Sequence, residues 1–152
     1  MESNTNLMSV SDIQMTMMKE LIGDKKNIPN AIKNGLNEQI QKLKLLILIK
    51  SVNENINDNV TTIKEHIFNI KFLLGYFTAN EELLLNLYET LCGIEIDINL
   101  ICSEFSVGKY NIENLKRSVY SKISFFDELI AILYSDYSIS GISRKKNAKP
   151  SS

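Results

Sequence analysis

Apolar residues recur along most of this chain at alternating steps of three and four. The clearest run is Leu84, Leu87, Leu91, Ile94, Ile98, Ile101 and Phe105, a heptad-like stripe that predicts one long helix with a buried seam over 79–106. Ile32, Leu36, Ile40, Leu43 and Ile47 predict a helix over 30–53, entered through Pro29, whose missing N–H costs nothing in a first turn. Val60, Ile63, Ile67, Ile70, Leu74 and Phe77 predict a third over 60–77. Ile112, Leu115, Val119, Ile123, Phe126, Ile130, Leu133 and Tyr137 predict a fourth over 112–138. A shorter run, Val10, Ile13, Met17 and Leu21, predicts a small N-terminal helix capped by Ser9 or Ser11 and stopped at Gly23. No alternating stretch reads as a strand.

The junctions set the topology. Residues 53–59 are rich in Asn and Asp, which favour turns because their side chains compete for backbone hydrogen bonds. Ile49, Val52, Ile56, Val60 and Ile63 nevertheless keep helical spacing through that stretch. An unbroken helix from Pro29 to Phe77 would be on the order of 70 Å long and would protrude from its neighbours. A break is the better reading, with Thr62 and Glu65 as a capping box. Thr78 and Glu81 form a second capping box, which leaves a very short connection and forces the helices on either side to lie antiparallel. Gly108, Asn111 and Gly141 mark the remaining stops and starts. The fold predicted is all-α: an antiparallel, up-down four-helix bundle with coiled-coil-like seams plus the short N-terminal helix, filling residues 9–141 as one domain. A three-helix arrangement with one very long helix is the alternative. Residues 1–8 and 142–152 read as disordered ends.

Composition agrees with a soluble globular chain: 44% hydrophobic, 23% charged and a formal net charge of −1. A balance so near neutral supplies no global field for nucleic acid or an anionic membrane. The N-terminus carries no basic start followed by an apolar run, and the longest apolar-rich stretch, 43–49, is far below the ~20 residues of a membrane span. The expected setting is intracellular, in the cytoplasm, with the nucleus as the alternative. Cys92 and Cys102 lie roughly 15 Å apart along one predicted helix and cannot bridge each other, so they read as two buried thiols.

Reactive constellations are missing. Two cysteines and one histidine, without CxxC or HxxxH pairing, do not make a zinc site, and no Glu-x-x-His pair serves a di-iron centre. His66 is the sole imidazole and flanks its seam, where a solvent-edge or hydrogen-bonded role is expected. There is no Gly-x-Ser-x-Gly elbow, Gly-x-Gly-x-x-Gly or phosphate loop. Glu81, Glu82, Glu89, Glu95, Asp97 and Glu104 read as a solvated helix face. The expectation is a protein that is not an enzyme and uses no cofactor and no metal.

Two features carry information about partners. A second apolar line, Leu85, Cys92, Ile96 and Leu100, runs opposite the long seam, and Phe125, Leu129 and Ile132 broaden the face of the last helix. Leu45, Ile49 and Val52 add a similar line earlier. Helices apolar on two sides exceed what a plain bundle needs, which points to partner helices in a hetero- or homo-oligomer. The favoured function is a protein–protein interaction module, a small subunit or adaptor of an assembly. The second reading is a nuclear or nucleic-acid-associated protein acting through the basic tail Arg144, Lys145, Lys146 and Lys149.

Overall fold

A computed structural model describes residues 10–22, 28–50, 58–107, 112–135 and 137–139. The described residues are helical almost throughout. Helix α1 is Val10–Ile22, α2 is Ile28–Lys44, α3 is Val60–Leu74, α4 is Glu81–Val107 and α5 is Ile112–Ser135. The C-terminal end of α2 passes into a wider π-helical turn, Leu45–Lys50. Two short strands, β1 (Phe77–Thr78) and β2 (Ser138–Ile139), pair antiparallel, with Phe77 opposite Ile139.

The four longer predicted stripes supply the core, with Val60, Leu84, Ile112, Leu115 and Tyr137 at their ends partly buried. Ile32, Leu36, Ile40 and Leu43 of α2 and Ile47 of the π-helical turn are buried, as are Ile63, Ile67, Ile70 and Leu74 of α3. Leu87, Leu91, Ile94, Ile98 and Ile101 of α4 join Val119, Ile123, Phe126, Ile130 and Leu133 of α5 in the same core. A seam of branched aliphatics can escape water only against another seam, so α2 packs on α3, α3 on α4 and α4 on α5.

Polar pairs fix how these helices meet. Lys44 at the end of α2 reaches Asp127 of α5 at 2.8 Å, and the Tyr134 hydroxyl of α5 donates to Asn37 Oδ1 of α2 at 2.6 Å. Lys71 of α3 lies 3.8 Å from Glu95 of α4. Lys33 sits over the Tyr134 ring at 4.7 Å, and Tyr134, Tyr137 and Phe77 pack ring against ring beside the β1–β2 pair.

Several boundaries differ from the sequence reading. Helix α3 ends at Leu74 rather than Phe77, because the chain turns at Gly75 and Tyr76 and then becomes extended. Phe77 stays buried, but as a strand residue. The β1–β2 pairing joins segments distant in sequence, so no local alternation announced it, and it takes Thr78 out of its predicted capping role. Asn80 caps α4 instead: its Oδ1 accepts from the backbone N–H groups of Glu82 at 2.8 Å and Leu83 at 3.1 Å. Helix α5 likewise stops at Ser135. The turn at Asp58 and Asn59 shows that no single helix runs from Pro29 to Phe77, and Asn59 is the N-cap of α3. Thr62 and Glu65 therefore sit inside α3 rather than forming a capping box.

Helix α1 packs on α2, but through Met18 and Leu21, while Ile13 is exposed. Leu45 and Ile49 are exposed too, so the end of α2 is not buried on every side. Ser9, Gly23, Val52, Gly108, Asn111, Gly141 and the tail residues Arg144, Lys145, Lys146 and Lys149 lie outside the described residues, as do both predicted disordered ends.

Candidate interaction face on the last two helices

Helix α4 is apolar on two sides, and only one of them is core. At about 100° per residue, Leu87, Leu91, Ile94, Ile98 and Ile101 cluster on one side while Leu85, Cys92, Ile96 and Leu100 fall roughly opposite. Leu85, Ile96 and Leu100 of α4 and Phe125 and Ile132 of α5 are all 45–58% exposed. Cys92 is exposed within the same row. Leu129 differs from its predicted place in this set. It is only 6% exposed, because its position lies between the α5 seam and the α4 flank and it closes against the core.

The flank between the two helices sets their register. Toward the C-terminal part of α4, Asp97 Oδ2 accepts from Ser118 Oγ at 2.7 Å and from Lys122 Nζ at 2.8 Å. The Lys122 Nζ also lies 2.7 Å from Ser118 Oγ. Asp97 is therefore not part of a solvated acidic face; it is buried and held by two donors of the neighbouring helix. Gly93 lies directly under the Lys122 side chain, where a Cβ would come within 3.0 Å of Lys122 Cε. Near the start of α4, Asn80, Glu82, Leu83 and Asn86 line a depression of about 390 Å³ with Leu129 and Ile132 of α5. Asn80, Leu83 and Asn86 were not singled out in the sequence. The available signal was Leu83, which at about 100° per residue falls in line with Ile94 and Ile101 and so extends the buried seam toward the start of the helix.

Phe125 and Ile132 therefore stand at the edge of α5 that borders α4, and the α4 row stands beside them on the side away from the core. Glu82 and Glu89 of α4 and Glu128 of α5 are exposed on this same side. Among the described residues, none of the three forms an ion pair. The lysines that border the region are engaged: Lys122 with Asp97, and Lys71 with Glu95.

The remaining reactive side chains are placed apart from this face. His66 of α3 has Nδ1 2.7 Å from Oε1 of the buried Gln39 of α2, and Asn69 Nδ2 donates to the same oxygen at 3.1 Å. With that oxygen as acceptor, Nδ1 carries the proton. Burial, then the nearby Lys42 charge, hold the imidazole below its ordinary pKa. This is a polar tie between two helices.

The cysteines correct the expectation of two buried thiols. Cys92 is exposed, with Lys71 Nζ 3.5 Å from its Sγ, and Cys102 is half-buried, with its thiol pKa pushed up by burial. Both are free. Among the described residues no cluster of His, Cys, Asp or Glu is arranged to hold a metal, and no helix is long and apolar enough to cross a membrane.

Compared with protein-family models, curated proteins and solved structures, the chain matches none.

Proposed function

We propose that this protein is a non-enzymatic interaction module, a small intracellular subunit or adaptor that binds a protein helix on the outer side of α4 and the adjoining edge of α5. The observation that carries the reading is the row Leu85, Ile96 and Leu100, continued by Phe125 and Ile132, all about half exposed. Isolated exposed leucines are ordinary on any protein surface, whereas large apolar residues gathered on one face are the mark of a docking site. Burying such side chains against a partner is worth roughly 25 cal/mol per Å² of apolar area before the costs of association.

The scaffold we propose beneath this face is an up-down antiparallel four-helix bundle of α2, α3, α4 and α5, with α1 laid on α2. Four sets of cross-helix contacts support a closed ring: Gln39 with His66, Lys71 with Glu95, Asp97 with Lys122, and Lys44 with Asp127. The up-down direction draws support from the pairs with two contacts: Asn37 meets Tyr134 and Lys44 meets Asp127 between α2 and α5, and Asn86 lies beside Leu129 and Asp97 beside Lys122 between α4 and α5, so rising numbers on one helix meet falling numbers on the other. A rigid bundle of this kind presents a fixed helix face, as groove-and-helix recognition requires.

The test is a combined Leu85→Gln, Ile96→Gln and Leu100→Gln variant. Its helicity and melting temperature should match the parent protein. Its mass by light scattering, or its recovery of a co-purifying partner from native extract, should fall to that of the bare monomer. A variant that unfolds would show the row to be internal packing, and a variant that keeps its assembly would remove the interface.

A further inference from the structure

The occupant of this face can be narrowed by charge, an inference that rests on the interface reading above. The N-terminal half of α4 and the C-terminal half of α5 present apolar and acidic groups side by side. The exposed Ile132 lines the depression together with Asn80, Glu82, Leu83, Asn86 and Leu129. Leu85 and Phe125 are exposed, and at about 100° per residue the exposed Glu82 and Glu89 share the Leu85 side of α4 and the exposed Glu128 lies next to the Phe125 side of α5. The bordering ammonium groups do not neutralise these acids, since Lys122 is committed to Asp97 and Lys71 to Glu95.

We infer that the groove between α4 and α5 receives an amphipathic helix of another protein whose apolar stripe is flanked by lysine or arginine, one large apolar side chain of it entering the depression at Ile132. The depression, about 390 Å³, has room for such an anchor and offers Asn80 and Asn86 as polar groups at its wall. Anchors spaced three, four and seven residues apart would follow the row, and their flanking cations would meet Glu82, Glu89 and Glu128. A second copy of this chain suits the groove poorly. In a two-fold contact the same patch faces itself, so the three carboxylates would be brought against their own counterparts. Opposite charge on the incoming helix turns that repulsion into attraction and speeds its encounter at low salt.

The experiment uses the full chain and two synthetic amphipathic helices of equal length, one of leucine and lysine, one of leucine and glutamate. Calorimetric titration at low and high salt should show the lysine peptide binding, more weakly as salt rises, and the glutamate peptide not binding. The Glu82→Lys, Glu89→Lys, Glu128→Lys variant should reverse that preference. Ile132→Ala, a change at an exposed position that leaves the core intact, should weaken the lysine peptide by about tenfold, the scale of a lost anchor. Binding of the lysine peptide that ignores both substitutions would overturn the assignment of the groove. Self-association of the unmodified chain, lost in the Leu85, Ile96 and Leu100 variant, would overturn the basic-helix occupant while leaving the interface reading in place. No peptide binding, and no change of assembly in that variant, would overturn both.

Discussion

The Asp97 carboxylate lies 2.8 Å from the Lys122 ammonium across the contact between α4 and α5, and it is the less exposed partner, with 9% of its side chain in reach of solvent against 37% for Lys122. The pair is consequently asymmetric. Losing Asp97 frees an ammonium that can turn to water, whereas losing Lys122 leaves a buried carboxylate that still accepts from Ser118 Oγ. Asp97→Ala is expected to cost about 1.5–3 kcal/mol, the range for a hydrogen bond to a charged group. Lys122→Ala should cost at least as much, approaching the ~3–5 kcal/mol of a broken buried pair. Urea unfolding midpoints of the two variants check the ranking, and a cheaper Lys122→Ala would contradict it.

Gly93 makes a second prediction about the same lysine. Alanine in a helix interior is favoured over glycine by about 1 kcal/mol. An added Cβ at position 93 would stand 3.0 Å from Lys122 Cε and 3.2 Å from Cδ, so the tethered lysine would have to shift. Gly93→Ala alone should therefore change stability little. In a Lys122→Ala background the gain should emerge at roughly 1 kcal/mol. A double-mutant cycle measures the difference, and equal effects in both backgrounds would show that the lysine does not set this position.

These two residues also show where sequence reading stops. The period of isoleucine and leucine decides which side of each helix leaves water, so the core of α2, α3, α4 and α5 and the exposed row of Leu85, Ile96 and Leu100 were legible in the chain. Asp97 was not, because nothing within α4 separates it from Glu89 or Glu95; its partners Ser118 and Lys122 belong to another helix. Thr78 and Asn80 are both good caps, and the choice between them was made by the distant pairing of Phe77 with Ile139. Leu129 falls three residues after Phe126 and three before Ile132, on the boundary of two faces, and only the close approach of α4 buries it. Spacing along one helix carries the seam, and contacts between helices carry the rest.

The two thiols should differ in reactivity. Cys92 is exposed, while Cys102 is half-buried and less readily ionised because burial disfavours the thiolate. A disulfide reagent at neutral pH should give a fast phase and a slow phase of equal amplitude. Cys92→Ser should remove the fast phase and Cys102→Ser the slow one. If a partner helix covers the α4 row, its binding should slow Cys92 and leave Cys102 unchanged. A single phase for both thiols would contradict the placement of Cys102.

His66 gives a pH dependence with a definite sign. Its folded-state pKa lies below the ordinary value of 6.5, chiefly because burial disfavours the charged ring, then because of Lys42, with Glu65 acting the other way. At pH values below 6.5 the unfolded chain therefore binds more protons at this residue than the folded one, so stability rises with pH through that interval. The contribution is present above the unfolded-state value and is lost as pH falls toward the folded-state value. The urea midpoint should accordingly drop between pH 7.5 and pH 5.5, on the order of the window set by the imidazole. His66→Gln keeps a side chain that can donate to Gln39 Oε1 but does not titrate, so it should flatten this part of the profile. An equally steep profile in His66→Gln would assign the dependence to other groups and would leave the Gln39 tie without a role in it.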